Sequence, residues 1–416
     1  MSNLKTKIEQ ANQEAVRRMV DSRPVWVDIK NAIDVCPGLK KNMIMHAGPP
    51  ISWDRMASPQ KNAVRGAVIY EKLAKTMEEA DDLVASGGIE LSPCHEHNTV
   101  GSMCGVTSPS MPVIVVRNEM FGNEGYVLIY ESPDSQKLSF GSFGDTVIKN
   151  LKWIDEVVAP VFKALVAKMG PVNLSRIISR ALTMGDELHS RSFASTAGFV
   201  LEVTPYLFEL DFDRRTLAGV ADFIRRSDQF FLHFAMAAAK VTADAANGIE
   251  YSTVVTAIAR NGVEVGIRVS SLPGQWFTGP AGLIEGLFFS NFTAEDAQPD
   301  IGDSAITETI GLGAFAHAAS PSLALTKGNV DIAVKYTKEM QEICVGNNPN
   351  YGIPVLGGKG VPLGIDIRKV LDTGVTPVIN TGIAHKQGGQ IGVGNSRVPK
   401  EAFKKALLAF RNKYIN

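Results

Sequence analysis

The chain has 416 residues, of which 45% are hydrophobic and 20% charged, and its formal net charge is −1. That length exceeds one ordinary domain, and the composition is that of a soluble globular protein of two or three domains. With no block of like charges there is no basic face for nucleic acid or an anionic membrane, so the expected partners are small molecules and other proteins.

Residues 1–21 predict a polar amphipathic helix without the apolar centre of a signal peptide, ended by Ser22-Arg23-Pro24. The two long uncharged runs, Asn98–Val116 and Thr309–Thr326, are interrupted by Gly, Pro, Ser or His and do not predict membrane spans. The expected compartment is the cytoplasm, and Cys36, Cys94, Cys104 and Cys344 are expected as thiols. Val25–Ile29 has strand character, and His46-Ala47-Gly48-Pro49-Pro50 is a loop. Ser58-Pro59 predicts the start of one long helix to about Ser86, with Ala63, Ala67, Tyr70, Leu73 and Met77 as its apolar stripe. Pro112–Arg117 and Gly125–Glu131 are expected strands. Helical periodicity dominates 145–169, 172–184, 213–226 and 228–247, with 198–206 either extended or helical. Val263–Ser270 and Thr376–Asn380 are expected strands, and 331–344 and 400–414 helices. The fold class is therefore mixed α/β (α+β): an N-terminal α/β domain over 1–145, a smaller, mainly helical domain over 146–248 and a C-terminal α/β domain over 249–416.

Five segments carry chemistry. SPCHEHNTVGSMCG (92–105) concentrates two His, two Cys and a Glu. On a strand, His95 and His97 would share one face and could ligate a metal, but the spacing matches neither zinc fingers nor zincins. The competing expectations are a polar loop turned to substrate, with Asn98 beside the histidines, purely structural histidines, and Cys94 as a nucleophile. GDELHSR (185–191) offers His189 for proton transfer and Arg191 for an anion, or is simply a solvated helix end. In RNGVEVGIR (260–268), Arg260 and Asn261 form a turn that could reach an anion, oriented by Asp303 and Glu308. GDSAITETIGLG (302–313), with Ser304 and Thr307, is neither a Walker A nor a Rossmann motif; its glycines suit an amide cradle for phosphate or carboxylate. NTGIAHKQGGQIGVG (380–394) places His385 and Lys386 among glycines, either an anion site or a surface loop.

Six strings taken together resemble the YlbE/AllG-like family in order along nearly the whole chain: HAGPP (46–50), PCHEH with Val100-Gly101, MGDE (184–187) with His189 and Arg191, ARNG (259–262), GDSAITET (302–309) and NTGIAHK (380–386). The resemblance implies two α/β domains with a smaller helical one, and a subunit of a three-subunit oxamate carbamoyltransferase acting with AllF/FdrA-like and AllH-like partners. Such an enzyme converts oxalurate and phosphate to oxamate and carbamoyl phosphate in allantoin breakdown. Two departures bear on substrate choice. The family commonly has Pro-Met-Ala-Gly after the Gly that corresponds to Gly101, where this chain has Ser102-Met103-Cys104-Gly105; and Asn-Arg-Asn after the DExH segment, where it has Ser190-Arg191-Ser192.

On this reading His95, His97, His189 and His385 are the expected acid/base or polarising groups. His46, Asn98, Arg191, Arg260, Asn261, Asp303, Ser304, Thr307, Glu308 and Lys386 are expected to bind substrate. No metal or cofactor is expected, and the isolated chain could pair as a homodimer. The alternatives are a stand-alone metal-dependent hydrolase of an amide or ureido compound, and a non-catalytic scaffold subunit.

Overall fold

The computed structural model describes residues 2–323 and 331–415; Met1, Asn416 and 324–330, with the end of the uncharged run Thr309–Thr326, lie outside the described residues. The strand Pro24–Asn31 starts on a proline, which needs no ladder hydrogen bond there, and continues through buried Val25 and Trp26. It pairs antiparallel with Pro112–Asn118, with a bulge at Trp26/Asp28. Together with Glu124–Leu128, Thr99–Val100 and Val172–Asn173 these strands form one five-stranded sheet.

The helical region covers this sheet. Helix Phe230–Asp244 lies against Pro112–Asn118 and Glu124–Leu128 and is buried almost all round, so its sequence shows little amphipathic contrast. Trp26 is fully buried between Phe162, Phe199 and Phe234, with ring centroids 5.9, 5.9 and 5.3 Å away. A second sheet joins Met43–His46 to Glu90–Pro93 in parallel and to Val106–Thr107 antiparallel. In the C-terminal half, a four-stranded sheet runs in the order Phe277–Pro280, Glu264–Val269, Val255–Asn261, Ile301–Gly302. Val378–Ala384 and Gln390–Arg397 pair as a hairpin, with Glu285–Phe288 at the edge. The N-terminal helix Ser2–Asp21 reaches across to this half: Asn12 Nδ2 donates to Thr253 Oγ1 (2.9 Å) and Asp366 Oδ2 (3.1 Å).

Most expected elements have their structural counterparts, and 198–206 is helical, within Phe193–Leu207. Three expectations change. The long helix from Ser58 is two helices, Ser58–Tyr70 and Met77–Ala85. Lys72 adopts φ 60°, which an L-residue avoids inside a helix, and Thr76 caps the second helix by accepting from the Glu79 amide. The apolar stripe stays in phase across the break, so periodicity alone reads straight through it. Second, Cys94–His97 is a 3₁₀ turn and not a strand, so His95 and His97 do not share a face. Third, the helix inside 302–313 is only Ile306–Thr309, and the amides of Asp303, Ile306, Thr307, Glu308, Ile310, Gly311, Leu312 and Gly313 all donate to backbone carbonyls. The segment is a folded turn, and most of its amides are already committed to the backbone.

Candidate functional site

Four of the quoted strings meet at Asp303. Its Oδ1 accepts from the Gly48 amide (2.7 Å) and its Oδ2 from the Gly101 amide (2.9 Å). Its own amide donates to Gly101 O at 2.7 Å. Asn261 Nδ2 donates to Pro49 O at 3.1 Å, tying the Arg-Asn-Gly turn to the same knot. The approach is close because glycines allow it. Gly302 has φ +122°, and a Cβ there would stand 2.5 Å from the Met103 amide nitrogen. Burial raises the Asp303 carboxyl to about 7, opposed by the two amides it accepts.

Arg260 belongs to this knot. It is fully buried, its Nε lies 3.1 Å from Asp300 Oδ2, and it donates to Gly302 O and Thr381 Oγ1. Its reach towards open space is through Ser304 Oγ, 3.4 Å from both terminal nitrogens. The expected anion clamp is thus an internal brace. His97 is likewise committed, to Pro37 O (2.6 Å) and Ser92 Oγ (2.8 Å). Asn98 is the left-handed residue that ends the 3₁₀ turn. His95 is buried edge-on to Trp276, with Nε2 3.7 Å from Asp303 Oδ1. His46 is buried, holds Ala47 O at 2.9 Å and is pushed down to about 4 by burial, so it is neutral at pH 7. Burial raises the Cys94 thiol well above its ordinary value, which removes the nucleophile reading. Among the described residues, no three His, Cys, Asp or Glu side chains group as metal donors.

The other expected residues divide between two hollows. An open outer cleft of about 690 Å³ is lined by His385, the 387–391 loop, Asn62, Phe143, Phe289 and Phe292. Lys386 turns away from it to Glu295 O at 2.6 Å. A much smaller, more enclosed pocket of about 30 Å³ lies beyond Gln390, which lines both. Its walls include Ser102, Met103, Tyr130, Phe140, His189, Gln229, His233, Ser304 and Gly382. The outer cleft is larger, but the inner cavity concentrates the groups that can move or hold protons, and it is the candidate site.

His189 is 3% exposed, and its Nδ1 lies 2.8 and 2.9 Å from the two oxygens of Glu308. A carboxylate accepts, so Nδ1 carries the hydrogen and Nε2 is left with no hydrogen-bond partner among the described residues. Glu308 is itself fixed by Thr307 Oγ1 (2.9 Å) and by the amides of Ala314 (3.2 Å) and Asn380 (3.1 Å). Beside it, burial raises Glu187 to about 7, against the lowering effects of His189, Asn380 and the Arg191 amide. Arg191 is half-exposed on the outer side of this loop, bonded to Ser322 Oγ (2.7 Å) and 3.6 Å from Asp186.

Four further groups face this cavity or support it; of these the sequence pointed only to Ser102, as a departure from the family pattern. Ser102 Oγ lies 3.1 Å from His233 Nε2, and His233 Nδ1 lies 2.7 Å from Leu128 O. Lys137 is buried, donates to the Tyr130 hydroxyl at 2.6 Å and sits over the rings of Tyr130 (4.2 Å) and Phe140 (4.3 Å). Burial lowers its ammonium from 10.5 to about 8. The Tyr130 oxygen accepts from Lys137, so its O–H is free to donate into the cavity.

The family model described as oxamate carbamoyltransferase subunit AllG matches residues 89–304. The uncharacterized protein YahG of Escherichia coli (strain K12) is 45% identical over 416 residues, 99% of this chain and 88% of that protein. The oxamate carbamoyltransferase subunit AllG of the same organism is 40% identical over 410 residues, 97% of this chain and 98% of that protein. A crystal structure of a conserved protein of unknown function from Enterococcus faecalis V583 superposes with a TM-score of 0.97 at 45% identity, covering 99% of both chains. The chain belongs to the AllG family.

Proposed function

We propose that this chain is a carbamoyltransferase subunit, and that carbamoyl transfer between a ureido acid and phosphate takes place in the cavity around His189. The observation that carries the reading is the His189–Glu308 pair, a proton carrier with a fixed tautomer facing a small enclosed pocket that also holds Ser102, Tyr130, His233 and Ser304. Membership of a family described as an oxamate carbamoyltransferase subunit supports a carbamoyltransferase role; the reaction proposed is that oxalurate and phosphate give oxamate and carbamoyl phosphate, as part of allantoin nitrogen breakdown.

In this reading a phosphate oxygen attacks the terminal ureido carbonyl, and His189 Nε2 takes the phosphate proton. The Tyr130 and Ser304 hydroxyls steady the oxygen that becomes negative; one such donor is typically worth about 10²–10³ in rate. The C–N bond to the oxamate half then breaks, and His189 returns the proton to the departing nitrogen. Arg191, two residues from His189 and half-exposed, is assigned to the incoming phosphate. The partners are AllF/FdrA-like and AllH-like subunits, and the setting is cytoplasmic. No helix among the described residues is long and apolar enough to cross a membrane.

Co-expression with the two partner subunits is expected to yield carbamoyl phosphate from oxalurate and phosphate. A correctly assembled complex that forms none overturns the reading. The same assay tests Lys137. Below about 8 its ammonium donates to Tyr130; above that, the neutral amine can accept the phenol hydrogen and turn it away from the cavity. Loss of that oxyanion donor predicts a fall of about 10²–10³ in kcat/KM on the alkaline side. Lys137→Arg, which stays charged, is expected to abolish that limb. A wild-type profile flat from about pH 7 to about pH 9.5 contradicts the assignment.

A further inference from the structure

The two serines in the cavity have fixed and opposite hydrogen-bonding roles. Leu128 O can only accept, so His233 Nδ1 carries the hydrogen. His233 is buried and its ring is pushed down to about 4, so it is neutral and Nε2 is an acceptor. The Ser102 hydroxyl therefore donates to Nε2, leaving only lone pairs on Ser102 Oγ for a ligand. Ser304 is the mirror case. Arg260 can only donate, so Ser304 Oγ accepts from it and its O–H has no acceptor among the described residues. Both line the same pocket, and each directly follows a member of the Gly101–Asp303 pair, which is joined by two hydrogen bonds.

We infer that Ser102 and Ser304 form an amide-reading pair that selects a carboxamide or ureido end over a carboxylate. Ser102 accepts the N–H of the ligand and Ser304 donates to its carbonyl oxygen. A carboxylate in the same place offers Ser102 an oxygen with no hydrogen, setting lone pair against lone pair. His233 is a positioning residue: it holds the Ser102 hydrogen away from the ligand. The inference rests on the proposed carbamoyl-transfer reading only for the choice of ligand.

The test is binding to the full chain of oxamate against oxalate, which differ by an NH₂ in place of a carboxylate oxygen, by calorimetric titration. Wild type is expected to prefer oxamate by at least about tenfold, the scale of one well-made hydrogen bond plus the avoided repulsion. Ser102→Ala is expected to remove most of that preference, weakening oxamate by loss of its acceptor and strengthening oxalate by relief of the repulsion. Ser304→Ala is expected to weaken both ligands, since both present an oxygen to it. Ser102→Thr, which keeps the hydroxyl, is expected to retain the preference and guards against a misfolded alanine variant. Equal affinity of wild type for the two ligands, no binding of either, or a preference unchanged in Ser102→Ala overturns the inference. Because binding needs no turnover, a Ser102-dependent preference without carbamoyl phosphate formation sinks the reaction and spares the pair. Turnover without the preference does the reverse.

Discussion

Replacing His189 with alanine is expected to lower kcat/KM for carbamoyl transfer by about 10²–10⁴-fold, the usual contribution of a positioned acid/base group. The folded structure should change little, because His189 makes side-chain hydrogen bonds only to Glu308, and Glu308 keeps Thr307 and the amides of Ala314 and Asn380. Glu308→Gln is expected to cost less than loss of the imidazole but to damage orientation. One of its two acceptor oxygens becomes an NH₂ group, which must then face N–H or O–H donors. The assay is steady-state kinetics on the assembled complex, with thermal unfolding as the control. A His189→Ala enzyme within about fivefold of wild type would remove His189 from the chemistry.

The second large effect is on stability. Arg260→Met leaves Asp300 buried without its cation, held only by hydroxyls of Thr381 and Ser396. Removing one partner of a buried ion pair typically costs about 3–5 kcal/mol. Removing both together, as Arg260→Met with Asp300→Leu, is expected to recover part of that loss, because no buried charge is then left alone. Equilibrium denaturation of the three variants decides. If Arg260→Met unfolds like wild type and instead raises KM for phosphate, Arg260 is an anion clamp and not a brace.

These two arginine roles show where sequence reading stops. A turn motif places Arg260 beside glycines, but whether its guanidinium meets solvent or Asp300 depends on the 40 residues that separate them in the chain. His95 and His97 would pair on one face only in a strand; the 3₁₀ turn sends His97 to Pro37 O and buries His95 against Trp276. His189, Ser304 and Glu308 were legible because they sit in short polar strings that interrupt apolar sequence. His233 was not, because a lone His within FFLHFAMAAAK looks like any residue of a buried helix, and its partner Ser102 lies 131 residues away in the chain. Lys137 follows SPDSQ, which has the composition of a surface loop, and only the fold shows it enclosed by Tyr130 and Phe140. The element types were legible for the converse reason: they depend on local periodicity, and the break at Lys72 escaped because the apolar stripe keeps its phase across it.

The central claim is that the inner cavity, and not the outer cleft, is where the carbamoyl group is handled. A crystal structure of the full chain with oxamate tests it most directly. The account predicts oxamate in the inner cavity, its NH₂ at Ser102 Oγ, its carbonyl oxygen at Ser304 Oγ, and the same nitrogen within reach of His189 Nε2. Oxamate seated in the outer cleft against His385 and the 387–391 loop, with the inner cavity unaltered, would contradict it.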